Sequence, residues 1–109
     1  MPAMTLTLTT LLALAASTHT EAPAAAAPTK PAQLGICVLC HGEDGHSRTP
    51  VAPNLAGQNA AYMERALHRF QTGQREGDGM NAVARVLSAD DIRELAAWYA
   101  AQPCAGPTR

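Results

Sequence analysis

The 109-residue chain has no run of alternating β-branched residues from which a sheet could be built, and no internal repeat. Its eight basic residues are balanced by nine acidic ones, and seven of the eight are arginine, Lys30 being the exception. That balance leaves no basic face of the kind nucleic acid requires. Only three cysteines are present, Cys37, Cys40 and Cys104. A zinc finger or ribbon therefore lacks its second pair of ligands, since His46 and His68 do not form an H-x₃₋₅-H pair. A thioredoxin-like dithiol lacks the βαβ context it needs. No acid/base constellation lies beside the cysteine pair, which weighs against catalysis.

What the chain does have begins at its N-terminus. Leu6 to Ala16 (LTLTTLLALAA) is an apolar stretch of signal-peptide length followed by small residues, and it is too short to span a bilayer as a helix. The segment before it, MPAMT, carries no Lys or Arg. Residues 1–22 read as a signal peptide, with cleavage expected after Ala15, Ser17 or Ala22, and residues 23–31 as a Pro/Ala-rich tether with nothing to bury. The folded domain is expected over 32–103, with 104–109 as a tail, and the mature form has no membrane span. A domain of about seventy residues is marginal on side chains alone.

The decisive feature is Cys37-Val38-Leu39-Cys40-His41. C-x-x-C-H is the sequence at which haem is attached covalently in c-type proteins. Two thiols one helical turn apart each add across one haem vinyl group, and the histidine that follows lies under the iron as its proximal ligand. Such attachment takes place outside the cytoplasm, in agreement with export. It leaves Cys104 as a free surface thiol or an intermolecular disulfide partner. A buried haem would also supply the apolar volume that so short a domain lacks.

The rest of the chain reads as helices joined by loops. A short helix runs from about Ala32 into the motif, with Pro31 at its first turn and Gly42 ending it. The loop EDGHSRTPVAPNLAGQ follows, too rich in Gly, Pro, Asp and Asn for regular structure. A second helix is expected from Asn59 as N-cap to Thr72, with Met63, Ala66, Leu67 and Phe70 as its buried stripe and Gly73 as its stop. A further helical turn is expected over Asn81–Leu87. The last helix opens at Ser88 with a capping-box partner at Asp91 and buries Ile92, Leu95, Ala96 and Tyr99.

The second axial ligand decides whether the iron is closed to substrates. Met63, on an apolar helical stripe, reads as core packing. Met80 ends a glycine-rich loop whose backbone freedom would carry its thioether to the distal face, and it is the expected ligand. His68 points away from the stripe toward solvent, and His46 is too near His41 to span a haem. The VAPNL segment, through Pro53, is the expected source of a carbonyl for the other ring nitrogen of His41.

The segments CVLCHGEDGHS, PNLAGQNAAYMERALHRFQTGQR and GDGMNAVARVLSADDIRELAAWYAAQP, together about 34–103, resemble the class I c-type cytochromes. The likeness is to the small bacterial members, including the half-domains of dihaem cytochromes. It implies an all-α small cytochrome c fold, three to five helices wrapped round one covalent haem c, with the N- and C-terminal helices crossing. It also implies thioethers at Cys37 and Cys40, His41 and Met80 on the iron, the Pro53 carbonyl against His41, and Arg75 near the haem propionates. One departure stands out. Pro28 and Pro31 shorten the helix before the motif, and Trp98 and Tyr99 are then expected to cover a more exposed haem edge. The function implied is a periplasmic carrier of single electrons between larger redox partner proteins. A dedicated haem subunit of an oxidoreductase, such as a sulfur-compound or alcohol dehydrogenase, is the alternative. A haem enzyme or gas sensor with an open distal site is a third reading.

Overall fold

The computed structural model describes residues 1–2, 16–18, 20 and 26–105. Most of the segment read as a signal peptide, and residues 23–25 of the tether, fall outside these residues. Among the described residues all regular structure is helical: a 3-10 turn over Ala32–Leu34, then α1 Gly35–His41, α2 Ala60–Thr72, α3 Met80–Arg85 and α4 Ala89–Ala100. None of these helices is long and apolar enough to cross a membrane.

Local chemistry explains the boundaries. Asn59 is extended and its side chain accepts from the Tyr62 N–H, which starts α2, while Gly73 in the left-handed region ends it. Ser88 and Asp91 form a complete capping box at α4, each side chain accepting the other's backbone N–H. α3 starts one residue earlier than expected and is shorter. It is launched by Gly79 at φ 81° and stops at Arg85, so Leu87 reaches the core from beyond the helix end.

The core is formed where α2 and α4 pack together, with the 3-10 turn against α4 and α3 against α2. Leu34, Met63, Leu87, Ile92, Leu95, Ala96 and Tyr99 make one buried cluster. Shortening of the first helix does not prevent its crossing with the last. Leu34, 1% exposed, enters the α4 cluster directly from the 3-10 turn that follows Pro31.

This crossing sets what the two aromatic residues of α4 do. Tyr99 is 2% exposed and donates its hydroxyl to the Gly42 carbonyl at 2.8 Å, while the Trp98 ring N–H donates to the Glu43 carbonyl at 2.8 Å. They therefore fasten the turn after the C-x-x-C-H motif, and Tyr99 also lines a cavity beside α1. Burial raises the Tyr99 hydroxyl well above its ordinary pKa, so it remains a donor throughout the physiological range. The first residue of the expected tail is also packed. The Cys104 sulfur lies against Gly57 where a side chain would otherwise stand, the Cys104 carbonyl accepts from His46 Nε2 at 3.2 Å, and the Gly57 N–H donates to the Tyr99 carbonyl at 2.9 Å.

Tyr99→Phe removes the donor that fixes Gly42 and should lower the stability of the haem-loaded protein by about 1–2 kcal/mol. Urea unfolding checks this, and an unchanged midpoint contradicts the assigned role.

Candidate functional site

α1 places Cys37, Cys40 and His41 three and four residues apart, which brings them to one face of a helix. Gly42 ends the helix at φ 76°, ψ 159°, and a Cβ there would collide with the His46 backbone oxygen. The chain then doubles back. The Arg48 N–H donates to the Cys40 carbonyl at 2.8 Å, the Leu55 N–H to the Gly45 carbonyl at 2.8 Å, and the Ser47 N–H to the Asn54 side chain at 2.7 Å. This folding delivers the Pro53 carbonyl to His41 Nδ1 at 2.8 Å. A carbonyl only accepts, so Nδ1 carries the proton and Nε2 keeps its lone pair, the tautomer a metal ligand requires. His41 is 7% exposed, so the ring is held in that orientation.

A cavity of about 450 Å³ opens beside α1. That volume is within the roughly 300–1,000 Å³ of pockets that bury a cofactor-sized group. All six residues singled out from sequence line it: Cys37, Cys40, His41, Pro53, Arg75 and Met80. Its apolar walls come from α2, through Met63, Leu67 and Phe70, and from α4, through Leu95, Ala96 and Tyr99. Met80 stands at the first position of α3, where the glycine-rich loop delivers it. Met63 also faces the cavity but belongs to the core cluster. His46 and His68 do not line it; His68 is exposed and bonded to Gln71.

The loop between α2 and α3 lies on Phe70. The Arg75 guanidinium sits 4.8 Å from the centre of the Phe70 ring, and its Nη1 donates to the Tyr62 hydroxyl at 3.5 Å. Gly77 passes so close that a Cβ there would stand 2.8 Å from Phe70 Cε1. Neither Gly77 nor Asn81, whose amide bonds to this loop, stood out in the sequence as a residue of the site. A glycine and an asparagine next to a methionine read there as ordinary loop composition.

The surroundings of Cys37 bear on the possible chemistries. Burial pushes Cys37 up to about 11, so it is protonated at neutral pH. A redox dithiol or a zinc thiolate calls for the opposite shift. Among the described residues no group of three or more His, Cys, Asp and Glu side chains could hold a metal ion. An apolar cavity with two thiols on one wall, a ligand-ready imidazole and a thioether fits a covalently attached haem.

No protein-family model matches the chain. It is 43% identical over 73 residues to cytochrome c-554(548) of Halomonas halodenitrificans, covering 64% of this chain and 88% of that protein. It is 36% identical over 91 residues to cytochrome c4 of Pseudomonas aeruginosa, covering 84% of this chain but 44% of that protein. Among solved structures, thiosulfate dehydrogenase of Marichromatium purpuratum superposes with a TM-score of 0.59 at 43% identity, over 67% of this chain and 16% of that one. The chain thus spans most of the first relative and under half of the second. It belongs to the class I c-type cytochromes. With them it carries a covalent haem c and is an electron-transfer protein.

Gly77 is not in the left-handed region and a Cβ there would meet Met80 only at an ordinary 3.6 Å, so Gly77→Ala tests chiefly the contact with Phe70. We expect a loss of about 1–3 kcal/mol. In the Gly77→Ala/Phe70→Leu double variant the loss should be smaller than the sum of the singles, because leucine lacks the atoms that collide. Additive losses in thermal unfolding would contradict the packing described.

Proposed function

We propose that the protein is a periplasmic carrier of single electrons whose haem c is attached through Cys37 and Cys40 and held on its iron by His41 and Met80. The observation that carries this reading is the His41–Pro53 hydrogen bond, placed inside an apolar cavity that the two thiols and Met80 also line. The haem supplies reversible one-electron exchange when bound. The chain's residues set the conditions for it. Pro53 fixes the His41 tautomer and ring orientation, and it raises the basicity of Nε2. Met80 would offer a soft thioether to the iron, a ligand that would favour the reduced metal. Arg75, braced on Phe70 and Tyr62 and lining the cavity, would offer its guanidinium to the haem propionates.

Export agrees with covalent attachment, which occurs outside the cytoplasm, and the apolar N-terminal stretch is of the length a signal peptide needs. Beside the exposed Cys40, Leu39 is 79% and Val51 81% exposed. Apolar side chains so placed suit a brief docking contact in which charge sets the encounter rate. The alternative, a permanent haem subunit of a larger oxidoreductase, is favoured by the likeness to the thiosulfate dehydrogenase structure. Co-purification with a larger subunit from the native source would select it.

The ligand pair is tested by the absorption spectrum of the oxidised, haem-loaded protein beside that of Met80→Ala. The weak near-infrared band of thioether-to-iron ligation should be present in the parent and lost in the variant. A parent without the band, or a variant that keeps it, contradicts the assignment.

A further inference from the structure

The wall of the cavity that carries Met80 is fastened by a side chain that does not itself reach the cavity. Asn81 directly follows Met80. Its Nδ2 donates to the Phe70 carbonyl at 2.9 Å and to the Arg75 carbonyl at 2.8 Å, and its Oδ1 accepts the Gly77 N–H at 3.1 Å. The orientation of the amide is forced, because carbonyls only accept and a backbone N–H only donates. One side chain thereby joins the last turn of α2, the middle of the loop and the approach to Met80. The loop's other fastenings lie mostly on Arg75, whose N–H donates to the Arg69 carbonyl at 3.1 Å and whose guanidinium meets Phe70 and Tyr62, while the Met80 N–H donates to the Gly77 carbonyl at 3.1 Å. A Cβ built at Gly73 or Gly79 would meet no neighbour.

We propose that Asn81 is the positioning residue for Met80: its amide fixes the loop so that the thioether stays on the distal side of the cavity. The proposal rests on the reading of Met80 as second axial ligand. A neutral thioether is a weak ligand, and a free glycine-rich loop would gain conformational entropy by letting it go. Pinning the loop removes that gain and raises the fraction of protein in which Met80 is in place. An external ligand that must displace Met80 is then disfavoured by the same factor.

The fold contains its own control. Gln71 Nε2 donates to the Ala84 and Leu87 carbonyls at 2.9 and 2.8 Å, tying α2 to the far end of α3 with bonds of similar length and none to the loop. A merely structural role for Asn81 predicts that the two amides behave alike.

The experiment uses the oxidised, haem-loaded full chain as parent, Asn81→Ala, Asn81→Asp, Gln71→Ala and Met80→Ala. Imidazole is titrated against the Soret band, and the near-infrared thioether band is recorded. Both Asn81 variants should bind imidazole at least tenfold more tightly than the parent and show a weakened band. Gln71→Ala should melt at lower temperature yet bind imidazole within about twofold of the parent, a change of under 0.5 kcal/mol. If Met80→Ala leaves the band intact, the ligand assignment fails and the proposal falls with it. If Met80→Ala abolishes the band but the Asn81 variants keep parental imidazole affinity, the proposal alone is overturned. An equal gain in affinity for the Gln71 and Asn81 variants also overturns it, because general loosening then explains both. Should the Asn81 variants yield no haem protein, amide exchange in the parent decides. By reciprocity of linkage, saturating imidazole should speed exchange of the Gly77 N–H at least tenfold, and unchanged protection rejects the proposal.

Discussion

The side chains that should fill the centre of this small domain are the same ones that line its cavity. Of the nine buried apolar residues among those described, Met63, Phe70, Leu87, Leu95, Ala96 and Tyr99 face the cavity as well as the protein. Leu34, Ala84 and Ile92 are left to close the core elsewhere. A void of about 450 Å³ in a chain of this size forfeits contacts that the short helices cannot replace among themselves. Burial of a flat apolar group there restores them, so its binding free energy is at the same time folding free energy. Covalent attachment of the haem makes that gain permanent. The cofactor site and the core are thus one object, and changes to either are felt in both.

The polar contacts around that centre hold chain segments in place against it. His41 is fixed by Pro53 from one side, and the turn that follows it is fixed by Tyr99 and Trp98 from α4. The loop that presents Met80 is fixed by Asn81 and by the pressure of Gly77 on Phe70. A site built in this way changes shape little when its charge changes by one, which suits electron transfer better than substrate turnover. Likeness both to a small cytochrome and to part of a thiosulfate dehydrogenase agrees with a self-sufficient haem module. Leu39 and Val51 stand exposed outside that interior.

Much of this was legible in the sequence where the determinants are local. Asn59, Gly73 and the stripe between them bound α2 correctly, and Ser88 with Asp91 did the same for α4, because caps act within one turn. The C-x-x-C-H spacing pointed to the cavity wall for the same reason. α3 was placed less well, since its start depends on the left-handed Gly79 and its end on Leu87 turning into the core. The acceptors of Tyr99 and Trp98 lie 57 and 55 residues away and carry no sequence signal. The partners of Asn81 are likewise brought near only by the folded loop, while Cys104 is free and exposed, as expected of a surface thiol.

The central claim is that a covalent haem in this cavity is closed on both faces, by His41 and by Met80, and so exchanges electrons without binding substrate. Addition of carbon monoxide to the reduced, haem-loaded protein at neutral pH tests it most directly. A Soret band that does not move, in a protein whose Met80→Ala variant shifts at once, is the result predicted. Prompt carbon monoxide binding by the unaltered protein would show an open distal face and contradict the account.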